Sequence, residues 1–221
     1  MRAGDLTGMV DEEGVVRIGS VVFALIRPTP GHELAFNHWY ERDHYYTTGL
    51  AAPGVFSAGR FVQPGTGWHL ALYFVLPGHD DARVAFATQQ VELAVEEDRM
   101  FTEREHLHTW SYVPDDAQPG GVTGTDGVPP ALALDHRYSA LDVTIHDSPD
   151  PVLPSSDGAS LCLRPLARIM PSDWDGDIDP VTRRVVLSFH DGAASTPAPD
   201  DAVWSGRFVP MAFGTDTHVV T

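Results

Sequence analysis

The feature that most constrains this chain is the order of its apolar runs and the proline and glycine pairs that separate them. Residues 21–26 form a short, largely β-branched run stopped by Pro28 and Pro30, which predicts a buried strand. A mixed polar and apolar segment from Gly31 to Leu50 reads as a helix, and Pro53-Gly54 ends it. Residues 55–62 read as a second strand closed by Pro64-Gly65, and residues 68–76 as a third closed by Pro77-Gly78. The link between them, residues 63–67, has hairpin length. Residues 80–100 read as an acidic second helix and residues 106–113 as a fourth strand. The order is β-α-β-β-α-β.

That order is the split βαβ of the ferredoxin-like fold. Residues 1–113 are therefore expected to be one α+β half of that type. Residues 114–130 are rich in proline, glycine and aspartate and read as a linker. Beyond it, strand-like runs occur at 141–146, 161–170, 184–190 and 202–213, joined by segments without a helical period. Residues 131–221 thus read as a β-rich second half. Either it is a degenerate second repeat that has shed its helices, or it is an extension that pairs with the first half and completes a barrel.

Composition excludes several chemistries. All fourteen basic residues are arginine. A chain without lysine has no Schiff-base nucleophile, no pyridoxal phosphate lysine and no Walker A lysine. The sequence also lacks GxGxxG, GxSxG and paired CxxC motifs. The formal charge of −17 disfavours nucleic acid and anionic membrane as partners, since both need clustered positive charge. A single cysteine, Cys162, permits no internal disulfide, in keeping with a cytoplasmic setting. The first twenty residues carry Asp5, Asp11, Glu12 and Glu13 and do not read as a signal peptide. No apolar run is long enough to cross a bilayer as a helix.

Within the first half, Phe36-Asn37-His38-Trp39-Tyr40-Glu41-Arg42-Asp43-His44 is followed by Gly49-Leu50, Pro53-Gly54-Val55 and Ala58-Gly59-Arg60-Phe61. This pattern resembles the dimeric α/β-barrel superfamily, particularly its EthD-like members. Those carry an aromatic-rich first helix with an Asp-His pair, then a Pro-Gly-Val-like turn into a strand bearing a basic residue. The resemblance covers residues 20–112. It implies a homodimer with a hydrophobic pocket between helix and sheet, which a histidine equivalent to His44 often faces. Superfamily activities include cofactor-free monooxygenases, polyketide cyclases, lactone isomerases and haem enzymes.

A helical wheel at about 100° per residue puts Phe36, Trp39, Tyr40, Tyr46 and Leu50 on the buried face. Asp43 falls within it, and Asn37 and His44 lie along one edge beside Tyr40. His38, Arg42 and Tyr45 point away. A carboxylate on an apolar face needs a partner. For Asp43 that is Arg60, a backbone amide, or an imidazole that it orients. His44 is the candidate general acid or base, because an imidazole titrates near neutrality. Tyr40 is the candidate proton donor, and Asn37 can hold a carbonyl or enolate oxygen.

The third strand sets His69 and Tyr73 on one apolar face, and the second sets Phe56, Ala58, Arg60 and Val62 on one side. Arg60 serves there as an ion-pair partner or an anchor for a carboxylate or enolate. Asn37, Trp39, Arg60, His69 and Tyr73 are the candidate substrate contacts. His106 and His108 share a face of the fourth strand and are the candidate metal nitrogens. The acidic run Asp173-Trp174-Asp175-Gly176-Asp177-Ile178-Asp179 resembles a calcium loop, but Arg184 stands where an EF-hand has glutamate.

The function expected from these residues is an enzyme without an organic cofactor, acting on a small apolar or aromatic, oxygenated substrate. Cyclisation, isomerisation, elimination and mono-oxygenation are the reactions in range. A non-catalytic ligand-binding or assembly protein of the same fold is the alternative. A haem or metal enzyme using one of the histidines is the second alternative.

Overall fold

The computed structural model describes residues 16–115, 121–122, 134, 137–148, 151, 159–168, 183–192 and 200–217. The chain begins with β1 (Val16–Arg17), β2 (Ser20–Pro28) and α1 (Glu33–Trp39), which runs on as a π-helical segment (Tyr40–Leu50). β3 (Val55–Val62), β4 (His69–Val75), α2 (Asp80–Glu96) and β5 (Arg104–Pro114) follow. The second half adds β6 (Gly121–Val122), β7 (Ala140–His146), β8 (Ser160–Arg168), β9 (Arg184–His190) and β10 (Ala202–Pro210). β6 falls inside the expected linker and pairs with β1.

The fold is mixed α+β, dominated by an antiparallel sheet. Eight strands close into a barrel in the order β10-β3-β4-β2-β5-β8-β9-β7, with β10 pairing back onto β7. One seam between the halves is β5 against β8, from Trp110↔Arg168 to Pro114↔Leu163. The other is β10 against β3, at Val209↔Val62 and Pro210↔Phe61. Each of the eight strands thus has a neighbour on both sides within the one chain, the β10–β3 seam being the shorter of the two.

Strand alternation sorts the side chains into two apolar layers. Phe23, Leu72, Tyr112, Ile145, Leu187 and Phe208 point inward and are almost fully buried. Burial of each such side chain stabilises by about 1.5–3 kcal/mol. An eight-stranded barrel has an interior just wide enough for side chains to fill it. The outward face of β2 and β4 carries Ala24, Ile26, Ala71 and Tyr73, and Phe36, Tyr40 and Tyr45 pack onto it. α2 is held differently: only Arg83 and Ala94 of its side chains are buried. The space between α2 and the sheet is where the site forms. Among the described residues, no helix is long and apolar enough to cross a membrane.

The helix after Trp39 departs from the expected wheel. Residues 40–50 form a π-helix, continued by a bond from the Ala51 N–H to the Tyr46 carbonyl at 3.0 Å. An i→i+5 ladder brings residues five apart onto one face. Tyr40 and Tyr45 are therefore both buried, at 2% and 4% exposure, whereas Tyr46 is 49% exposed. The α-helical wheel had exchanged the two tyrosines at 45 and 46.

Two β-bulges correct the face assignments. The β3–β4 register slips between Val55 and Ser57, so Phe56 packs against the barrel interior while Ala58 packs under the helices. The β2–β5 register slips between Leu25 and Ile26, which stand opposite His108 and His106 respectively. His106 therefore joins the outer layer with Ile26, and His108 the inner layer with Leu25. The two histidines do not share a face.

Candidate functional site

A cavity of about 510 Å³ lies between the sheet and its helices. Val22, Ala24 and Ile26 of β2 form its floor, with His106 and Thr109 of β5. The π-helical segment supplies Tyr40, His44 and Gly49 along one wall, and α2 supplies Arg83, Val84 and Val91 along the other. The lining is mostly apolar, with a few convergent polar groups, which is the composition of small-molecule sites in general. π-helical turns are uncommon and recur at functional sites. Here the wide turn lets Tyr40, His44 and Gly49 reach the same wall.

Gly49 is required by a close approach. A Cβ at this position would lie 2.1 Å from Cε1 of Tyr73. The Tyr73 ring thus sits against bare helix backbone. Its hydroxyl lies 3.2 Å from that of Tyr40. Burial raises both phenol pKa values; against it, for Tyr40, work the hydrogen bond with Tyr73 and the positive field of Arg60. The Arg60 guanidinium lies over the Tyr40 ring at 4.4 Å. Both tyrosines stay protonated. One proton bridges the pair, and the other is available to a ligand.

His44 is half-buried on the same wall. Its ring stacks on Trp39, centroids 4.6 Å apart at 22°, and meets Tyr40 edge-on at 5.1 Å. Neither of its nitrogens is hydrogen-bonded to a described residue. Its pKa is lowered to about 3, first by burial and then by the cation Arg104, against the opposing pull of Asp43. His44 is therefore a neutral imidazole with uncommitted nitrogens at the wall of an apolar cavity.

His106 is neutral too, its pKa lowered to about 3 by burial, Arg104 and His44. Arg104 Nε donates to His106 Nε2 at 3.1 Å. With Nε2 accepting, the ring proton is on Nδ1, which donates to Thr109 Oγ1 at 2.9 Å. The Thr109 hydroxyl proton is left to point elsewhere, and Thr109 lines the cavity.

The other expected site residues are placed as follows. Asp43 accepts from Arg99 Nη1 at 2.7 and 2.6 Å and from Thr47 Oγ1 at 3.1 Å. It makes no hydrogen bond to His44, and its partner is neither Arg60 nor an imidazole. Arg60 donates to Asn37 Oδ1 at 3.0 Å and lies 3.4 Å from Glu41 Oε1. Asn37 Nδ2 donates to the Thr215 carbonyl at 3.3 Å and to Asp216 Oδ1 at 3.1 Å. Glu41 Oε2 accepts from the Gly214 N–H at 3.0 Å. This network fastens the segment around residues 214–216 onto the first helix, and neither Asn37 nor Arg60 lines the cavity. Trp39 donates from Nε1 to the Arg99 carbonyl at 2.8 Å and is the platform under His44. His69 is buried against Phe36, ring centroids 5.0 Å apart, away from the cavity lining, and its pKa is lowered to about 3 by burial and by Arg60. His108 bonds to the Tyr112 hydroxyl at 2.5 Å inside the barrel, so His106 and His108 cannot chelate one ion. Among the described residues, no group of three or more His, Cys, Asp or Glu is placed to hold a metal ion. The run Asp173–Asp179 lies outside the described residues.

Sequence reasoning missed Arg83, Arg104 and Thr109, and saw His106 only as a metal ligand. The readable signal was in the second helix. Val84, Ala87 and Val91 recur at helical spacing, an apolar stripe within an otherwise acidic segment.

No family model matches the sequence, and no curated protein matches it. A solved structure described as an anthrone oxidase-like protein is similar, with a TM-score of 0.48 and 11% sequence identity. The match covers 87% of this chain and 91% of that one.

Proposed function

We propose that the helix–sheet cavity is the active site of an enzyme that moves a proton on a small apolar or aromatic, oxygenated substrate without an organic cofactor. The observation that carries this reading is His44: a neutral imidazole, its nitrogens uncommitted, at the wall of a mostly apolar cavity of about 510 Å³. Neutral imidazole takes a proton from an acidic C–H or O–H of the substrate. Negative charge then develops on an adjacent oxygen, to which the Tyr40–Tyr73 pair can donate its outer hydroxyl proton. A base is most effective when its pKa lies near the working pH. An anionic intermediate held beside His44 raises its pKa toward that range, because imidazolium and enolate or phenolate attract each other in a low-dielectric site. Cyclisation, isomerisation, elimination and oxygenation of an electron-rich ring share this first step.

In family terms, the reading is a dimeric α/β-barrel relative, of the EthD-like kind, in which one chain supplies both halves of the barrel. Closure of all eight strands within the chain supports it.

The test begins with a visible spectrum and metal analysis of freshly purified protein, expected colourless and metal-free; a Soret band or stoichiometric metal would overturn the reading. Hydroxylated bicyclic and tricyclic aromatics are then screened for turnover. On any substrate found, His44→Gln is expected to lower kcat by roughly 10²–10⁴-fold, with the thermal midpoint unchanged. Turnover that survives this substitution removes His44 from the chemistry. A tightly bound compound with no turnover under any condition would favour a binding protein instead.

A further inference from the structure

Arg83 is out of place for a residue that only holds the fold together. It sits in the first turn of α2, is 3% exposed, and lines the apolar cavity beside Val22 and Val84. Its one hydrogen bond is from Nη2 to Ser111 Oγ at 2.9 Å, and its Nε has no partner. No described carboxylate pairs with it. Asp80, the acid whose field it feels, accepts a hydrogen bond from Ser20. Glu92, the one carboxylate on the lining, is exposed and nine residues further along α2, about 13 Å by helical rise. A guanidinium keeps its charge under such conditions. With His44 and His106 neutral, Arg83 is the one cation on the cavity lining, and it forms no ion pair with a described carboxylate. Burial of a lone cation is costly until an anion joins it.

We propose that Arg83 is a substrate-positioning anchor for a carboxylate, so that the substrate is an aromatic carboxylate rather than a neutral ring compound. This rests on the reading of the cavity given above and narrows its substrate class. One cation matches one negative charge, and the planar guanidinium fork suits a carboxylate. The register sets where the rest of the molecule lies. Ser111, Thr109 and His106 stand opposite Val22, Ala24 and Ile26 along the outer face of β5. Successive residues on one face of a strand are about 7 Å apart. A carboxylate at the Ser111 end therefore directs the rings toward Thr109, His106 and His44, and puts the reacting carbon one or two ring widths from the acid group.

The experiment is a pair of binding titrations, by calorimetry or by tryptophan fluorescence, with 2-naphthoate and the isosteric, neutral 2-naphthamide. Naphthoate is expected to bind at least tenfold more tightly. Arg83→Gln is expected to bring that ratio close to one with the amide affinity little changed, and Arg83→Lys to keep part of it. Should the Gln variant fail to fold, the wild-type ratio still decides. Equal affinities in the wild type, or a preference that survives Arg83→Gln, would overturn the anchor and leave the proton-transfer reading standing. If neither probe binds, both readings fall. A His44→Gln variant is expected to preserve the naphthoate preference, so failure of the proton-transfer reading would be visible separately.

Discussion

The hydroxyls of Tyr40 and Tyr73 lie 3.2 Å apart, one from the π-helical wall and one from the sheet. Two phenols in contact can bind a substrate oxygen through the outer proton while the inner one polarises the pair. Removal of an oxyanion donor typically costs 10²–10³-fold in kcat. Tyr40→Phe and Tyr73→Phe are each expected to lower kcat by roughly 10²-fold. The double variant is expected to lose much less than the product of the singles, because the two hydroxyls act as a unit. Singles with full kcat would reduce the pair to a packing contact.

His44 makes a pH prediction with a definite sign. Its pKa in the folded protein is about 3, below the ordinary histidine value, because the charged form is desolvated and faces Arg104. The ligand-free protein therefore holds His44 neutral throughout the neutral range, the form in which the proposed base would act. The acid limb of kcat/KM should not bend near pH 6.5 on account of this residue; it should stay flat down to about pH 5. Histidine ring-proton shifts followed by NMR give the same information without a substrate. A resonance titrating near 6.5 that vanishes in His44→Gln would show a solvated ring.

Asp43 separates the site from its scaffold. A role in orienting the imidazole was the expectation, yet both carboxylate oxygens accept from Arg99, 56 residues along the chain. Asp43→Asn is therefore expected to leave kcat within a few-fold of the wild type and to lower the thermal midpoint slightly. A loss as large as that of the His44 variant would mean that the ion pair positions the helix for catalysis.

The contrast shows what the sequence could carry. Strands were legible because proline and glycine pairs mark their ends, and every long strand lies close to its expected run, down to 141–146 and 184–190 in the second half. The helix face was not, since nothing in the sequence between Tyr40 and Leu50 announces an i→i+5 ladder. That one change of period exchanged Tyr45 for Tyr46. Alternation failed at the two bulges, where one inserted residue flips all that follows; it split Phe56 from Ala58 and His106 from His108. Partners distant in sequence, such as Asp43 and Arg99 or Arg83 and Ser111, are set by tertiary packing and leave no local trace.

Acid should destabilise this fold through its buried imidazoles. His69 is 4% exposed with its pKa lowered to about 3, and His108 is 2% exposed with its pKa lowered to about 4, each chiefly by burial. Between pH 6.5 and those values, the unfolded chain holds a proton on each ring that the folded chain does not. Unfolding then takes up protons, so stability rises with pH across this window. The contribution is fully present above about pH 6.5 and is lost as the pH falls through it. Each ring adds a slope of up to about 1.4 kcal/mol per pH unit. The unfolding free energy, measured by denaturant titration from pH 7 to pH 5, is expected to fall accordingly. His69→Gln cannot take up a proton and should make the fall shallower by about one ring's share. An unchanged slope in that variant would mean that His69 is already charged in the folded protein, and its burial against Phe36 would have to be read as a cation on an aromatic face.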